Sequence, residues 1–210
     1  MPQGRARRGV RSDRPREGRR GAERAVLRRA GLLAFLLAII FAGSAAGETT
    51  EPDRYGAALG LGKSYDPHGH IAFALVSGFA LFDYDRVWPH RAPEPLRFKV
   101  EGSLGVADWP EARAMASAGI LALYYLDALA AGRWRPYAEA GVGLVYTDFR
   151  VKGQGLRLNF NPQAGIGAEV RTGAGPPWLL ALRGHHVSNG GIDDENRGIN
   201  SVLIQVGRFF

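Results

Sequence analysis

The chain has 210 residues and no cysteine. Disulfides, thiolate metal sites and a cysteine nucleophile are therefore excluded, and no redox compartment is implied. Long apolar runs are also missing. Beyond residues 30 to about 42, no segment is apolar for long enough to suggest a membrane helix. A real excess of charge is absent too, once its location is considered. The net charge is +7, but residues 1–30 hold eleven arginines against only Asp13, Glu17 and Glu23. The rest is close to neutral, so nucleic acid is not an expected partner. His68 and His70 share the turn-like "DPHGH" with too few ligand side chains around them for a metal site, and "DDEN" at 193–196 is too short for a dense acidic one. The glycine pairs fall at alternating positions and no Lys-Ser/Thr follows them, which argues against a phosphate-cradling loop.

What the chain does have begins with a leader. "RAVLRRAGLLAFLLAIIFAGSAAGE" runs from a basic flank ending at Arg29, through an apolar stretch, to small residues at 43–47. Basic, apolar, small is the order of a secretory signal peptide. The apolar stretch is short for a bilayer span, although an N-terminal anchor is the alternative reading. Residues 1–46 are expected to be removed, disordered or helical, and the mature domain to occupy 47–210.

After the leader the pattern is alternation with a period of two, the mark of half-buried strands. In "LRLNFNPQAGIGAEVR", Leu156, Leu158, Phe160, Pro162, Ala164, Ile166, Ala168 and Val170 share one face, while Arg157, Asn159, Asn161, Gln163 and Glu169 share the other. Eight such runs are predicted, at roughly 54–65, 70–83, 95–108, 112–127, 134–149, 155–171, 178–188 and 200–210. The run at 112–127, "ARAMASAGILALYYLD", is helical by composition, yet its length and its neighbours favour a strand.

The class turns on which face is buried. The polar faces mix charges with many glycines, which suits the crowded interior of a narrow barrel better than a wet surface. The apolar faces would then meet lipid, and eight strands is the smallest common membrane barrel. Ten aromatic residues fall near strand ends, Tyr55, Tyr65, Tyr84, Trp88, Trp109, Tyr124, Tyr125, Trp134, Tyr146 and Trp178, as interfacial girdles require. The chain ends on Phe209-Phe210 after alternating apolar residues, similar to the C-terminal assembly signal of bacterial outer-membrane proteins. The expected fold is all-β: an eight-stranded antiparallel transmembrane β-barrel in the outer membrane, its last strand paired with its first. Leu156, Leu158, Phe160, Ala164 and Ile166 should face outward, and Arg157, Asn159 and Glu169 inward.

One stretch carries chemistry. In "GHHVSNGGIDDENRGIN", residues 184–200, His186 and Ser188 share a parity class and therefore a face. Their side chains start about 7 Å apart, within rotamer reach of each other. Asn200 has the parity of the outward residues Val202, Ile204 and Val206. Polar groups aimed at lipid cost free energy, so three of them together ask for a function. Ser188 is the candidate nucleophile, His186 its base and Asn200 the group that orients the imidazole. Asn189, Gly190 and Gly191 could offer amides to an oxyanion. The same residues also suit a plain turn between strands. His185, whose parity points it inward, is the alternative base or simply a partner of Glu139 or Glu169.

"HVSNGG" at 186–191, "N-x-G-I-N" at 196–200, the upstream "NFNPQAGIGAEVR" and the terminal phenylalanine resemble the lipid A 3-O-deacylase (PagL) family of outer-membrane barrels. The resemblance implies a serine esterase that hydrolyses the 3-O-linked acyl chain of lipid A without a cofactor. It matches His186 to the catalytic histidine, Ser188 to the nucleophile, Asn189 and Gly191 to the oxyanion positions and Asn196 to a loop asparagine near the site. The family's third triad member is a glutamate, and Asn200 stands in its place. Asparagine can orient an imidazole but cannot stabilise an imidazolium by full charge. Either activity survives at a lower rate with Asn200, or Asp193, Asp194 or Glu195 from the loop substitutes, or the chain is no longer a hydrolase. Asn200→Glu is expected to retain or raise the rate. Lipid A (lipopolysaccharide) and outer-membrane lipid are the expected partners, and a homodimer is compatible with the pattern. The competing reading is a non-catalytic small outer-membrane barrel with a structural or adhesive role.

Overall fold

The computed structural model describes residues 53–67, 70–88, 90–109 and 111–210. The leader and its cleavage site, like His68, lie outside the described residues. Eight strands form: β1 Arg54–Asp66, β2 Ala72–Asp83, β3 Leu96–Asp108, β4 Ala112–Tyr125, β5 Trp134–Thr147, β6 Leu158–Val170, β7 Trp178–Val187 and β8 Ile199–Phe209. Each pairs antiparallel with its successor, and β8 pairs with β1 to close a barrel. A single helical turn, α1 (Tyr84–Val87), interrupts the β2–β3 connection. No helix among the described residues is long and apolar enough to cross a membrane. The strands do that, with 10 to 14 residues each where a tilted span needs about 9 to 11.

The inversion of polarity is plain. Leu59, Leu61, Val76, Leu104, Ile166 and Ile204 are each at least 60 % exposed, whereas Lys99 and Arg183 are 1 % exposed. A water-soluble barrel would reverse this; a barrel in lipid requires it. The interior is filled in layers. One apolar cluster, including Phe73, Phe149 and Leu203, lies toward the β7–β8 loop, and a second, including Phe79, Leu123 and Phe209, lies toward the termini. Between them sits a charged belt. Arg183 bonds Glu101 at 2.7 and 3.0 Å and also reaches Glu139. Lys99 lies 3.1 Å from Glu101 and 3.4 Å from Glu139. Two cations meet two carboxylates, so the belt is neutral as a unit. Glycine makes room for the rings above and below it: a Cβ on Gly62 would fall 2.2 Å from the Phe73 ring, and one on Gly56 would fall 2.3 Å from Phe79.

The strand at 112–125 is β, not helical, because every residue from Ala112 to Tyr124 pairs with β3. Three details depart from the sequence reading. Arg157 was expected inside, but β6 begins at Leu158, and Arg157 precedes it, exposed and paired with Asp148. Leu156 likewise precedes the strand and is half-buried in the loop. Tyr125 does not join an interfacial girdle. It is fully buried and hydrogen-bonds Glu169, which Arg54 also holds at 2.9 and 3.0 Å. Arg54 in turn lies 3.8 Å over the Phe209 ring, so the first and last strands are tied at the terminal end. Tyr55, Tyr65, Tyr124, Trp134, Tyr146 and Trp178 do stand exposed near strand ends.

Candidate active site

The site is a row across three adjacent strands at the end of the barrel away from the termini. His186 on β7 lies opposite Asn200 on β8, and Asn200 lies opposite Asp66 on β1. His186 Nδ1 is 2.6 Å from Asn200 Oδ1, and Asn200 Nδ2 donates to Asp66 Oδ2 at 2.9 Å. Arg197, from the β7–β8 loop, grips the same carboxylate at 2.7 and 3.5 Å. His186 is exposed on the outer wall, as the parity of β7 dictates.

The polarity of this row follows from donor chemistry. A carboxylate only accepts, so Asp66 takes the amide NH2 of Asn200. The amide oxygen then faces the imidazole, and Nδ1 must be the protonated nitrogen. Nε2 is left with its lone pair, as a base requires. Gly198, at φ +71°, leaves the flank of the ring open: a Cβ there would stand 3.2 Å from His186 Cε1.

Ser188 follows β7 by one residue and is half-buried. Its backbone is pinned to Phe160 in both directions, at 2.8 and 3.1 Å. Its hydroxyl and the imidazole are on neighbouring positions of one face but are not hydrogen-bonded to each other here. Such contacts commonly tighten only when substrate arrives. His185 points inward, its ring centroid 6.4 Å from that of Phe73, and bonds neither Glu139 nor Glu169. It is on the wrong side of the wall to serve Ser188.

The loop after Ser188 is built by its own polar groups. Asn189 N–H donates to Asn196 Oδ1 at 2.8 Å, Asn189 Nδ2 to Glu195 O at 3.0 Å, and Gly191 N–H to Asn189 Oδ1 at 2.8 Å. The amides at the two oxyanion positions implied by resemblance are thus engaged inside the loop. Among the described residues the Gly190 N–H has no such partner. Gly190 and Gly191 carry φ of +64° and +77°, which accounts for glycine at both. The side chains of Asp193, Asp194 and Glu195 make no hydrogen bond to His186. The acid linked to the imidazole, through the Asn200 amide, is instead Asp66, which sequence reasoning missed. Strict alternation from Tyr65 would turn Asp66 inward. However, Ser64 opposes Ser201 and Asp66 opposes Asn200, leaving Tyr65 as the extra residue of a β-bulge. The bulge re-aims Asp66 to the outer face.

A family model described as lipid A 3-O-deacylase (PagL) matches residues 77–208. The chain belongs to the lipid A 3-O-deacylase (PagL) family. It is accordingly an outer-membrane ester hydrolase of lipid A. Two solved barrels show the same fold. The outer membrane enzyme PagL is 21 % identical with a TM-score of 0.52, the match covering 74 % of this chain and 98 % of that one. Neisserial surface protein A is 14 % identical with a TM-score of 0.58, over 77 % and 98 % of the two chains. The surface protein superposes at least as well as the enzyme, so the barrel alone does not encode the chemistry. No curated protein sequence matches the chain significantly.

Proposed function

We propose that the chain hydrolyses the 3-O-acyl ester of lipid A as a serine esterase, with Ser188 as nucleophile, His186 as general base and Asn200 as the orienting group. The observation that carries this reading is the 2.6 Å contact between His186 Nδ1 and Asn200 Oδ1, made on a lipid-facing wall beside a serine. Ser188 Oγ attacks the ester carbonyl while His186 Nε2 takes its proton, and the imidazolium returns that proton to the departing sugar oxygen. Water then releases the fatty acid by the same route in reverse roles. The tetrahedral oxyanion is met at the 189–191 turn, where the Gly190 N–H has no partner among the described residues and Asn189, braced by Asn196, holds the loop in shape. Every group in this chemistry comes from one chain, so the reaction does not require the homodimer.

Placement favours the substrate. An even-stranded barrel keeps both termini at one end, and delivery from the periplasm leaves them there. The opposite end, with the site, then borders the outer leaflet that holds lipid A. Below His186 the outer wall continues through Gly184, Leu182, Ile166, Ile204 and Val206, and the last four line a groove of about 490 Å³. A departing acyl chain can lie along it without leaving the membrane.

Two measurements check this. A lipid-like fluorophosphonate should label the folded chain once, and peptide mapping should find the added mass on Ser188. Labelling elsewhere, or none from a preparation that deacylates lipid A, would overturn the serine mechanism. Gly184→Leu should slow hydrolysis by roughly tenfold by filling the wall beside His186. The barrel should tolerate it, since a Cβ there meets only Ala164 O at 3.8 Å. An unchanged rate with the leucine in place would exclude this path for the acyl chain.

A further inference from the structure

The geometry points to Asp66 as a positioning residue for this reaction: through the Asn200 amide it supplies the orientation and the negative charge that a glutamate at position 200 would supply directly. The inference rests on the Ser188–His186 reading above. Its basis is the continuous row His186, Asn200, Asp66, with contacts of 2.6 and 2.9 Å across β7, β8 and β1. An asparagine alone has two nearly isosteric orientations, one offering oxygen to the ring and one offering NH2. The second would leave Nδ1 as the acceptor and put the ring proton on Nε2, toward Ser188. A carboxylate behind the amide removes that choice. It also places a negative charge one amide away from the imidazolium that forms as Ser188 loses its proton. Asp66 and His186 are within electrostatic reach of each other. The bulge at Tyr65 is what brings the acid to this face, and Arg197 fixes its second oxygen at 2.7 Å.

A glutamate at 200 and an aspartate at 66 are therefore alternative solutions that exclude each other. Asn200→Glu alone would set two carboxylates about 3 Å apart, where one must take up a proton or move. The expectation from sequence, that Asn200→Glu retains or raises the rate, thus changes. The gain should appear only when Asp66 is neutralised as well.

The test uses the full chain in detergent micelles with lipid A as substrate. Rates are followed for D66N, D66A, N200E and N200E/D66N, with thermal unfolding as the folding control. D66N and D66A should each lose about tenfold or more. N200E should also be slowed, and N200E/D66N should return to the parental rate or above it, so the same D66N change is harmful in one background and helpful in the other. A merely structural Asp66 would not produce that reversal. Parental rates in both D66N and D66A, or equal damage by D66N in both backgrounds, would overturn the proposal. S188A separates the two claims. If S188A is inactive while D66N and D66A match the parent, only the role of Asp66 falls. If S188A matches the parent, the serine–histidine reading itself is wrong.

Discussion

Replacing Ser188 with alanine is expected to lower 3-O-deacylation by roughly a thousandfold or more while leaving the barrel as stable as the parent. The activity loss follows from chemistry. Among the described residues no other outward-facing serine stands beside a histidine, the other strand serines such as Ser77 and Ser103 being buried, and a proton acceptor without a nucleophile can only activate water weakly. Unchanged stability follows from the contacts. The backbone bonds to Phe160, at 2.8 and 3.1 Å, survive the substitution, and the hydroxyl makes no hydrogen bond that alanine would orphan. Mass spectrometry of lipid A from cells expressing the parent should show loss of one 3-hydroxyacyl mass, and cells expressing S188A should keep it. H186A should be comparably inactive, and the double variant no worse than either single, because the two groups act as one unit. Equal deacylation by parent and S188A would defeat the assignment.

The largest effect on stability is expected at Arg183. Arg183→Leu should cost about 3 to 5 kcal/mol, since removing one partner from a buried ionic cluster leaves uncompensated charge. Arg183 serves both Glu101 and Glu139, and without it two buried carboxylates face the single ammonium of Lys99. The leucine would fill much of the volume, so the loss is electrostatic rather than a cavity. The double variant R183L/E139L should be milder, because Glu101 keeps Lys99 at 3.1 Å and the belt is neutral again. Urea unfolding in detergent reads both, with the midpoint falling by roughly 1 to 5 M for the single change if the slope is about 1 to 3 kcal/mol per M. A single variant that unfolds within about 1 kcal/mol of the parent would mean that water or a shifted side chain replaces the guanidinium.

The barrel was legible because a period of two needs no tertiary information. Leu158, Ile166 and Asn159, Glu169 declare their opposite faces by spacing alone, and the inversion of polarity follows from which of them are charged. Legibility failed where alternation continues past the point at which pairing stops. Arg157 keeps the parity of Asn159, but the ladder with β5 begins at Leu158; at Arg157 only the carbonyl still bonds, to the Thr147 N–H at 3.0 Å, and parity no longer fixes the side chain. It failed again where one extra residue enters a strand. Tyr65 shifts β1 against β8, and Asp66, which strict alternation would turn inward, comes to face the same side as His186. The His186–Asn200 pair was readable because no bulge intervenes between β7 and β8. The internal bonding of Asn189 was not readable, since its partners Glu195 and Asn196 reach it only after the loop has folded back.

The pairing of β8 with β1 has a consequence for timing. His186 and Ser188 arrive on the seventh strand or just after it, Asn200 on the eighth and Asp66 on the first, so the row of hydrogen bonds spans the seam that joins the two ends of the sheet. While that seam is open, during transit or partial insertion, Asn200 has no carboxylate behind it and both orientations of its amide are available. On the proposed role of Asp66, full activity therefore requires a complete wall. On that proposal the seam between β8 and β1 is itself part of the site, because a barrel with an open seam lacks the carboxylate that fixes the Asn200 amide.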